Sequence, residues 1–488
     1  MGWAREHRGL VWILAAQAAV ALVFAFTRVV DADEGFYLAA AQRVSDGLVP
    51  HIDFFYPQSP LFPLIFAPLG GWGMESLQLL RVLAVVASLG LTALCYRFVA
   101  KTSGNREAAV VTAALVAING LALTWHSVFK PYAFIDLLIF AAFYLTFVRG
   151  DEKPGYGRVF WIMALTALAA NLRSVMLVLL PVLLYYLVTR GRRQGAATGK
   201  LTVAAIAGIA LPTLPALWIA ISAPTQFFFN NLGFHLQREP IEPFSALVLH
   251  KLTVLGKFLA LPQTILLLGA ALASWLLIRQ KLEQAPDWLK PAGVVALVLA
   301  LVYLVPTPVH LQYFQQTIPY LALLTVPCAA FVLREAKLRL ILRSAGMLYL
   351  VGLLPFVVLF IVSPREQDQR FEWTQLKAVV GKIESQSQPN DTVLSEWAGY
   401  AALAMRPQLP GSEHVGFHFP LKISAAEFEQ MHLLTTAAIN SALAARRPEL
   451  VIVDYQVYPE WREALEANYH AADSSERTYI YKRNAASL

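Results

Sequence analysis

Long apolar stretches fill the first three quarters of the chain and then give way to a mixed pattern. The stretches at about 10–27, 77–98, 107–124, 133–148, 159–172, 174–188, 201–221, 254–278, 292–305, 318–333 and 344–362 approach the ~20 apolar residues that a bilayer-crossing helix needs. Eleven spans are predicted. Polar Asn171, Arg173 and Ser174 separate the two spans around them, which therefore read as a pair and not as one long helix. Beyond residue 363, Glu372–Ser387 has helical spacing through Leu376, Val379, Val380 and Ile383, and Asn390-Asp391 turns the chain into a strand over Thr392–Trp397. Ala425–Ala445 reads as mainly helical, Leu450–Tyr455 as a buried strand, Pro459–Asn468 as a helix and Thr478–Lys482 as a closing strand. The fold class is therefore a polytopic α-helical membrane protein over 1–363, with a soluble α/β domain over 364–488.

Composition agrees: of 488 residues, 57% are hydrophobic and 15% charged, with mean hydropathy +0.53, as in integral membrane proteins. Charge sets the orientation. With the N-terminus inside, the short loops on that side hold nineteen arginines and lysines, from Arg5, Arg8 and Lys153 to Arg343, against six on the other: Arg28, Arg43, Lys130, Arg173, Arg238 and Lys251. The positive-inside rule then places the C-terminal domain outside. The net charge of +7 belongs to the membrane part, since residues 364–488 carry 12 basic and 16 acidic groups. Nucleic-acid binding is thus not implied; topology and anionic lipid account for the basic loops. The first span has the flanks of a signal peptide but no small-residue cleavage site, and reads as an uncleaved helix. Cys95 and Cys328 fall within predicted spans, offering neither an external disulfide nor a zinc motif.

Candidate chemistry gathers after the first span, in an external loop over 28–76. Residues 31–62 hold five carboxylates and two aromatic clusters. Asp33 and Glu34 open a juxtamembrane helix with Phe36, Ala40 and Val44 on one face and Gly47 at its end; both acids suit helix capping as well as catalysis. Asp53-Phe54-Phe55-Tyr56-Pro57, with Pro60 and Pro63, reads as a stiff aromatic loop on the membrane surface. Other ionisable groups at outer span ends are His126, Lys130, Asp136, Arg173, His235, Arg238, Glu239, His310 and Tyr313. Phe227-Phe228-Phe229-Asn230-Asn231 and residues 233–242 read as a mobile loop, suited either to closing over a lipid or to anchoring at the interface.

The run from Asp33-Glu34-Gly35-Phe36-Tyr37 to Asp53-Phe54-Phe55-Tyr56-Pro57-Gln58-Ser59-Pro60-Leu61 resembles the first external loop of the GT-C glycosyltransferases of the protein O-mannosyltransferase and aminoarabinose-transferase type. Lys130-Pro131, Asn171-Leu172-Arg173-Ser174, His310-Leu311-Gln312-Tyr313-Phe314 and Ile318-Pro319-Tyr320-Leu321 extend the likeness through most of the membrane part. The resemblance implies inverting transfer of a sugar from a polyprenyl-phosphate donor to a hydroxyl of an envelope glycolipid, glycan or protein, on the outer face of a bacterial inner membrane. It makes Asp33 the general base. Glu34, Tyr37, Asp53 and Tyr56 would position groups around it, and Arg173 and then Lys130 would bind the leaving phosphate, arginine in bidentate fashion and lysine as a point charge. His126, Asp136, His310 and Tyr313 are further candidates for substrate binding, with Asp136 also placed to pair with Lys130.

One departure bears on cofactors. Many relatives carry an Asp or Glu beside the proline after the third span, as a second ligand for a divalent cation, whereas this chain has Lys130 and Tyr132. The expectation is catalysis without a divalent metal, the lysine supplying the charge. The alternative from another functional class is a polyprenyl-lipid or oligosaccharide transporter; charges gathered at one face, with no evident inverted repeat, favour the enzyme.

Overall fold

Inside a bilayer no water completes the hydrogen bonds of the backbone, so an apolar chain folds into helices that complete them internally. In the computed structural model seven helices are long and apolar enough to cross: Arg8–Thr27, Met74–Ser103, Ser174–Arg193, Thr198–Ser222, Pro262–Arg279, Leu311–Arg334 and Ala336–Val362. Tyr132–Phe147, Tyr156–Leu172 and Leu289–Val302 are shorter apolar helices. The structure describes residues 7–149, 155–237, 243–362, 371–413, 421, 423–454, 457–475 and 477–485. Arg5, Lys153, Arg238, Glu239, Tyr455 and the expected boundary at 363/364 lie outside them. We label Arg8–Thr27 α1, Ala32–Ser45 α2, Met74–Ser103 α3, Gly120–Trp125 α4, Tyr132–Phe147 α5 and Tyr156–Leu172 α6.

Several expected spans are interrupted, and two of the breaks have a clear physical cause. The stretch at 107–124 is two helices, Arg106–Ala117 and α4. Asn119 caps α4 by accepting from the Ala122 N–H at 3.0 Å, and the Gln263 amide bridges the break, accepting from the Gly120 N–H at 2.7 Å and donating to the Ile118 carbonyl at 2.9 Å. A side chain thus supplies what the interrupted helix lacks. The stretch at 254–278 divides at Leu261 into Phe244–Ala260 and Pro262–Arg279, because a proline cannot continue the helix before it and restricts its predecessor. Elsewhere packing is close. A Cβ on Gly208 would stand 2.3 Å from the Phe160 carbonyl oxygen, so Thr198–Ser222 meets α6 backbone to backbone, as small residues permit in membranes. Large apolar side chains such as Trp12, Ile221 and Leu340 face outward, where lipid would cover them.

The sheet has the order β1 (Val393–Ser395), β2 (Leu450–Asp454), β4 (Thr478–Arg483), β3 (Tyr469–Ser475), with β1 parallel to β2 and the other pairs antiparallel. The helices Trp373–Gln386 and Pro459–Asn468 stand where the periodicity places them. The expected 425–445 helix is two, Ala425–Gln430 and Thr436–Ala444, the second capped by Thr435. Strand β3 escapes the sequence reading because it is a largely exposed, polar edge with no apolar alternation to betray it.

The sheet domain sits directly on α2. Its short helix Ala398–Leu403 packs against α2, and the Trp397 indole N–H donates to the Ala32 carbonyl at 2.8 Å. Arg43 forms an ion pair with buried Glu413 and donates to the Gln408 carbonyl at 3.1 Å. Two expectations change accordingly. Glu34 through Ala41 are all buried, so α2 lies between bundle and sheet and not on a membrane surface with one apolar face. Phe54, Phe55 and Tyr56 are at most 2% exposed, so the aromatic loop is packed into protein instead of resting on lipid.

Candidate active site

The first turn of α2 divides its acids by task. Asp31 is the N-cap, accepting from the Asp33 N–H at 3.0 Å, while Glu34 reaches back to the Asp31 N–H at 2.8 Å, closing a capping box. Capping therefore falls to Asp31 and Glu34 and leaves Asp33 out of it. The Asp33 side chain is 47% exposed.

Glu34 is fully buried and fully engaged. Arg81 of α3 grips it in fork geometry, Nε to Oε1 at 2.8 Å and Nη2 to Oε2 at 2.5 Å, and the Phe129 N–H adds a bond at 2.7 Å. Arg81 also donates to the carbonyls of Ala25 and Arg28 at 2.8 and 3.1 Å. This ion pair ties α1, α2 and α3 to the turn before α5, leaving Glu34 no freedom to act on a substrate.

Lys130 comes from that turn, held over the Trp125 ring at 5.0 Å. Its Nζ lies 2.6 Å from Asp31 Oδ1 and 2.9 Å from Asp33 Oδ2. Burial works against the ammonium charge, but Asp31 and Asp33 outweigh it and hold Lys130 well above the ordinary lysine range. Burial also opposes ionisation of Asp31; Lys130 and Arg28 win, and its carboxyl sits below the usual range. The sequence reading grouped Lys130 with Arg173 as a phosphate binder, whereas here its charge is spent on two carboxylates.

Arg173 ends α6 in extended backbone and projects into aromatic surroundings. Its guanidinium carbon lies 5.1, 5.7 and 4.7 Å from the ring centres of Tyr132, Tyr303 and Tyr313, within the reach of cation–π attraction. Its leading electrostatic partners among the described residues are tyrosines: Tyr132, Tyr303, Tyr313 and Tyr37. Tyr37, which donates to Gln58 Oε1 at 3.0 Å, and Tyr313 each feel the charges of Asp33, Lys130 and Arg173. The acid turn and the caged arginine thus act on the same two tyrosines and form one site, at the end of the bundle that carries the sheet.

The loop at 50–60 packs beside this site, Gln58 bonding Tyr37 and Tyr56 lying on Phe36. His51, buried and pulled down to about 4 by desolvation, is neutral at pH 7, and its Nε2 lies 2.9 and 3.0 Å from the carbonyls of Tyr56 and Gln58. Asp53 is exposed and closes a turn by accepting from the Val49 N–H at 2.7 Å. Tyr56 stacks on Phe36 at 5.2 Å, and its N–H donates to Asn230 at 2.8 Å. Ser59 donates to the Asn171 carbonyl at 2.5 Å, linking the loop to the Arg173 turn. The expected mobile loop at 227–242 is helical as far as Gln237, residues 238–242 lying outside the described ones. Phe229 and Phe234 pack on Phe55 and Phe227 on His51, so much of this aromatic face is covered by protein, while Phe228 stays exposed.

The remaining expected residues separate. Asp136 pairs with His126 at 2.9 Å and accepts from Gln316 at 2.7 Å, not with Lys130; its position a turn inside α5 aims it into the bundle. His126 continues the chain of contacts through Ser88 at 3.1 Å to Gln17 at 3.0 Å. Both members of this pair are buried and have internal partners. His310 lies beside Tyr313, ring centres 5.4 Å apart, and burial and Lys130 lower its pKa. Sequence reasoning missed Arg81, whose signal was a cation inside an apolar span, and Asp31, whose signal was an acid three residues before Glu34. Tyr132 and Tyr303 gave no signal, since only the fold brings them to Arg173.

Apolar helices long enough to cross a membrane, joined to a sheet-containing domain, give the chain the fold of several solved multi-pass membrane proteins. Solved structures with the same fold include ArnT from Cupriavidus metallidurans bound to undecaprenyl phosphate (TM-score 0.68, 13% identity, covering 99% of this chain and 98% of that one). The Archaeoglobus fulgidus oligosaccharyltransferase AglB, in complex with an inhibitory peptide and a dolichol-phosphate, matches at TM-score 0.53 and 12% identity over 100% of this chain and 75% of that one. The A. fulgidus oligosaccharyltransferase in complex with Zn and sulfate matches at 0.55 and 13%, over 96% and 73%. No protein-family model and no curated protein matches the sequence.

The zinc of that archaeal enzyme prompts a test of fit. Here Asp31 and Asp33 enclose an ammonium group at hydrogen-bond distance, and among the described residues no three His, Cys, Asp or Glu side chains gather as metal ligands. A donor set with a lysine at its centre does not fit a divalent ion.

Proposed function

We propose that the protein is an inverting glycosyltransferase that moves a sugar from a polyprenyl-phosphate donor to an acceptor hydroxyl. The observation that carries this reading is a contrast within the site: a half-exposed carboxylate, Asp33, and a tyrosine-caged Arg173 whose leading electrostatic partners among the described residues are tyrosines and not carboxylates. The ligands bound to ArnT and AglB, undecaprenyl phosphate and a dolichol-phosphate, support a lipid-phosphate donor. Asp33 takes the proton of the acceptor hydroxyl as its oxygen attacks the anomeric carbon, a role worth about 10² to 10⁴ in rate. The bond from that carbon to the phosphate oxygen breaks, and Arg173 receives the charge that develops on the departing phosphate. Lys130 holds Asp33 in place and supplies the positive charge beside it, so no step requires a divalent metal.

Loop charge favours the N-terminus inside, and on this reading the site and the 364–488 domain lie outside the cytoplasm of a bacterial plasma membrane. The acceptor is an envelope glycolipid, glycan or protein. The test offers purified protein a panel of radiolabelled polyprenyl-phosphate sugars and follows label into extracted lipids, glycans and proteins, with Asp33→Asn in parallel. Transfer by the parent that Asp33→Asn loses supports the reading; transfer unchanged in Asp33→Asn rejects Asp33 as the base, and no transfer from any donor rejects the enzyme. EDTA is expected to leave the activity in place.

A further inference from the structure

The segment that carries Asp33 is gripped from both sides, and one grip belongs to the C-terminal domain. Below, the bundle holds Glu34 through Arg81. Above, the Val30 N–H donates to the Phe371 carbonyl at 2.9 Å and the Ala32 carbonyl accepts from the Trp397 indole at 2.8 Å. These two bonds bracket Asp31 and stop one residue short of Asp33. Phe371 and Trp397 are themselves in contact, ring centres 4.5 Å apart. The next turn closes the arrangement: a Cβ on Gly35 would stand 2.1 Å from Cζ2 of Trp397 and 2.7 Å from the Gly399 Cα. Only a glycine lets the indole lie against the backbone of the helix there. Trp397 is 3% exposed and has Tyr400 edge-on at 4.9 Å, so the indole is fixed before it fixes anything else.

We propose that Trp397 is a positioning residue for Asp33, so that the C-terminal domain forms part of the active centre instead of serving only to meet an acceptor. The inference rests on the glycosyltransferase reading above. Its physical content is geometric. A carboxylate that takes a proton must stand within hydrogen-bond reach of the hydroxyl, and a displacement of about 1 Å costs on the order of 10²-fold in rate. The first turn of a helix is where its own backbone bonds are fewest. The indole bond and the Gly35 contact supply rigidity at that point, next to a side chain left half-exposed for chemistry. Arg173, at the end of α6, is caged by Tyr132, Tyr303 and Tyr313, which take no part in this grip, so donor binding is expected to be independent of it.

The experiment compares the full-length parent with Trp397→Phe, which keeps an aromatic ring and removes the N–H donor, and with Gly35→Ala, which drives the indole away from the other side. Amide hydrogen exchange over residues 30–36, affinity for polyprenyl phosphate, and kcat and KM for transfer are read for each, with Asp33→Asn as control. Both variants are expected to exchange about five- to tenfold faster over 30–36, the loss of one hydrogen bond's worth of protection. The kcat is expected to fall about tenfold or more, with polyprenyl-phosphate affinity unchanged. Unchanged protection in a folded variant overturns the proposal, as does a normal kcat in variants whose protection has fallen while Asp33→Asn is inactive. A parallel loss of donor affinity also overturns it, since that marks general disruption. Full transfer by Asp33→Asn instead rejects the base assignment, a distinct result that the exchange data do not share.

Discussion

Asp33 and Glu34 are neighbours on one helical turn, each within 3 Å of a cation, and the structure uses them in opposite ways. The Glu34–Arg81 pair has both side chains at 0% exposure and every carboxylate oxygen bonded, two of the bonds in a fork. The Asp33–Lys130 pair shares its lysine with Asp31 and leaves the carboxylate 47% exposed. Saturation makes a group structural, because any departure strands a buried charge. Partial satisfaction leaves a group held in place with lone pairs still to offer. Little more than a quarter-turn of helix thus separates scaffold from chemistry, and sequence alone gives both residues the same acidic label.

The largest effect that breaks or sharpens this contrast comes from exchanging each acid for leucine. Glu34→Leu strands the Arg81 guanidinium and is expected to cost about 3–5 kcal/mol of stability, read as a fall in melting temperature or as loss of the folded protein on gel filtration. Asp33→Leu is expected to cost within ~1 kcal/mol, as for other partly exposed pairs, while abolishing transfer. Equal destabilisation by the two would erase the distinction between scaffold and chemistry.

The second contrast sets Lys130, whose charge is spent, against Arg173, whose charge is not. Arg173→Ala is expected to weaken binding of polyprenyl phosphate by about 10- to 100-fold, the ~1.5–3 kcal/mol of a hydrogen bond to a charged group, with melting temperature little changed. Arg173→Lys restores charge without the bidentate fork and recovers only part of the affinity. If Lys130→Met weakens phosphate binding as much as Arg173→Ala does, both cations bind the donor and the division drawn here fails.

These contrasts also mark how far the sequence could be read. The spans were legible because the bilayer imposes a length and a polarity on every crossing helix, and the candidate residues were legible because charged groups stand out against that background. Breaks at Asn119 and Leu261 were not legible, since hydropathy sums over a window and does not register a proline or the amide of Gln263 that rescues the freed backbone. The division of labour at 31–34 was half legible. The spacing of Asp31 and Glu34 fits a capping box, but that Arg81 lies opposite Glu34 and Lys130 opposite Asp33 depends on how α3 and α5 pack. The tyrosines around Arg173 come from three separate parts of the chain, and no local pattern announces them.

A smaller effect concerns pH. Asp31 has its folded-state pKa depressed, in spite of burial, by Lys130 and Arg28. It therefore contributes stability that is fully present above its unfolded value of about 3.9 and is lost as pH falls through the folded one. Lys130→Met removes the nearer cation. The difference in melting temperature between parent and variant is expected to be greatest near neutrality and to narrow as pH is lowered below ~4. A difference that stays constant down to pH 3 would mean that the lysine stabilises by packing on Trp125, at 5.0 Å, and not through the aspartates.

The finest test asks what the tyrosine cage contributes. Tyr313 is the ring nearest the Arg173 guanidinium, at 4.7 Å. Cation–π attraction acts through the face of the ring and not its hydroxyl. Tyr313→Phe should therefore leave Arg173 in place and change polyprenyl-phosphate affinity by less than about threefold. Tyr313→Leu removes the ring, worth ~0.5–1 kcal/mol at a partly exposed site, and should weaken binding by about two- to fivefold, as the guanidinium samples orientations that the cage had denied it. If instead Tyr313→Phe is the more damaging change, the hydroxyl meets the phosphate directly. The cage would then be a second set of donors beside the arginine, and the charge contrast between Lys130 and Arg173 would explain only part of where the donor binds.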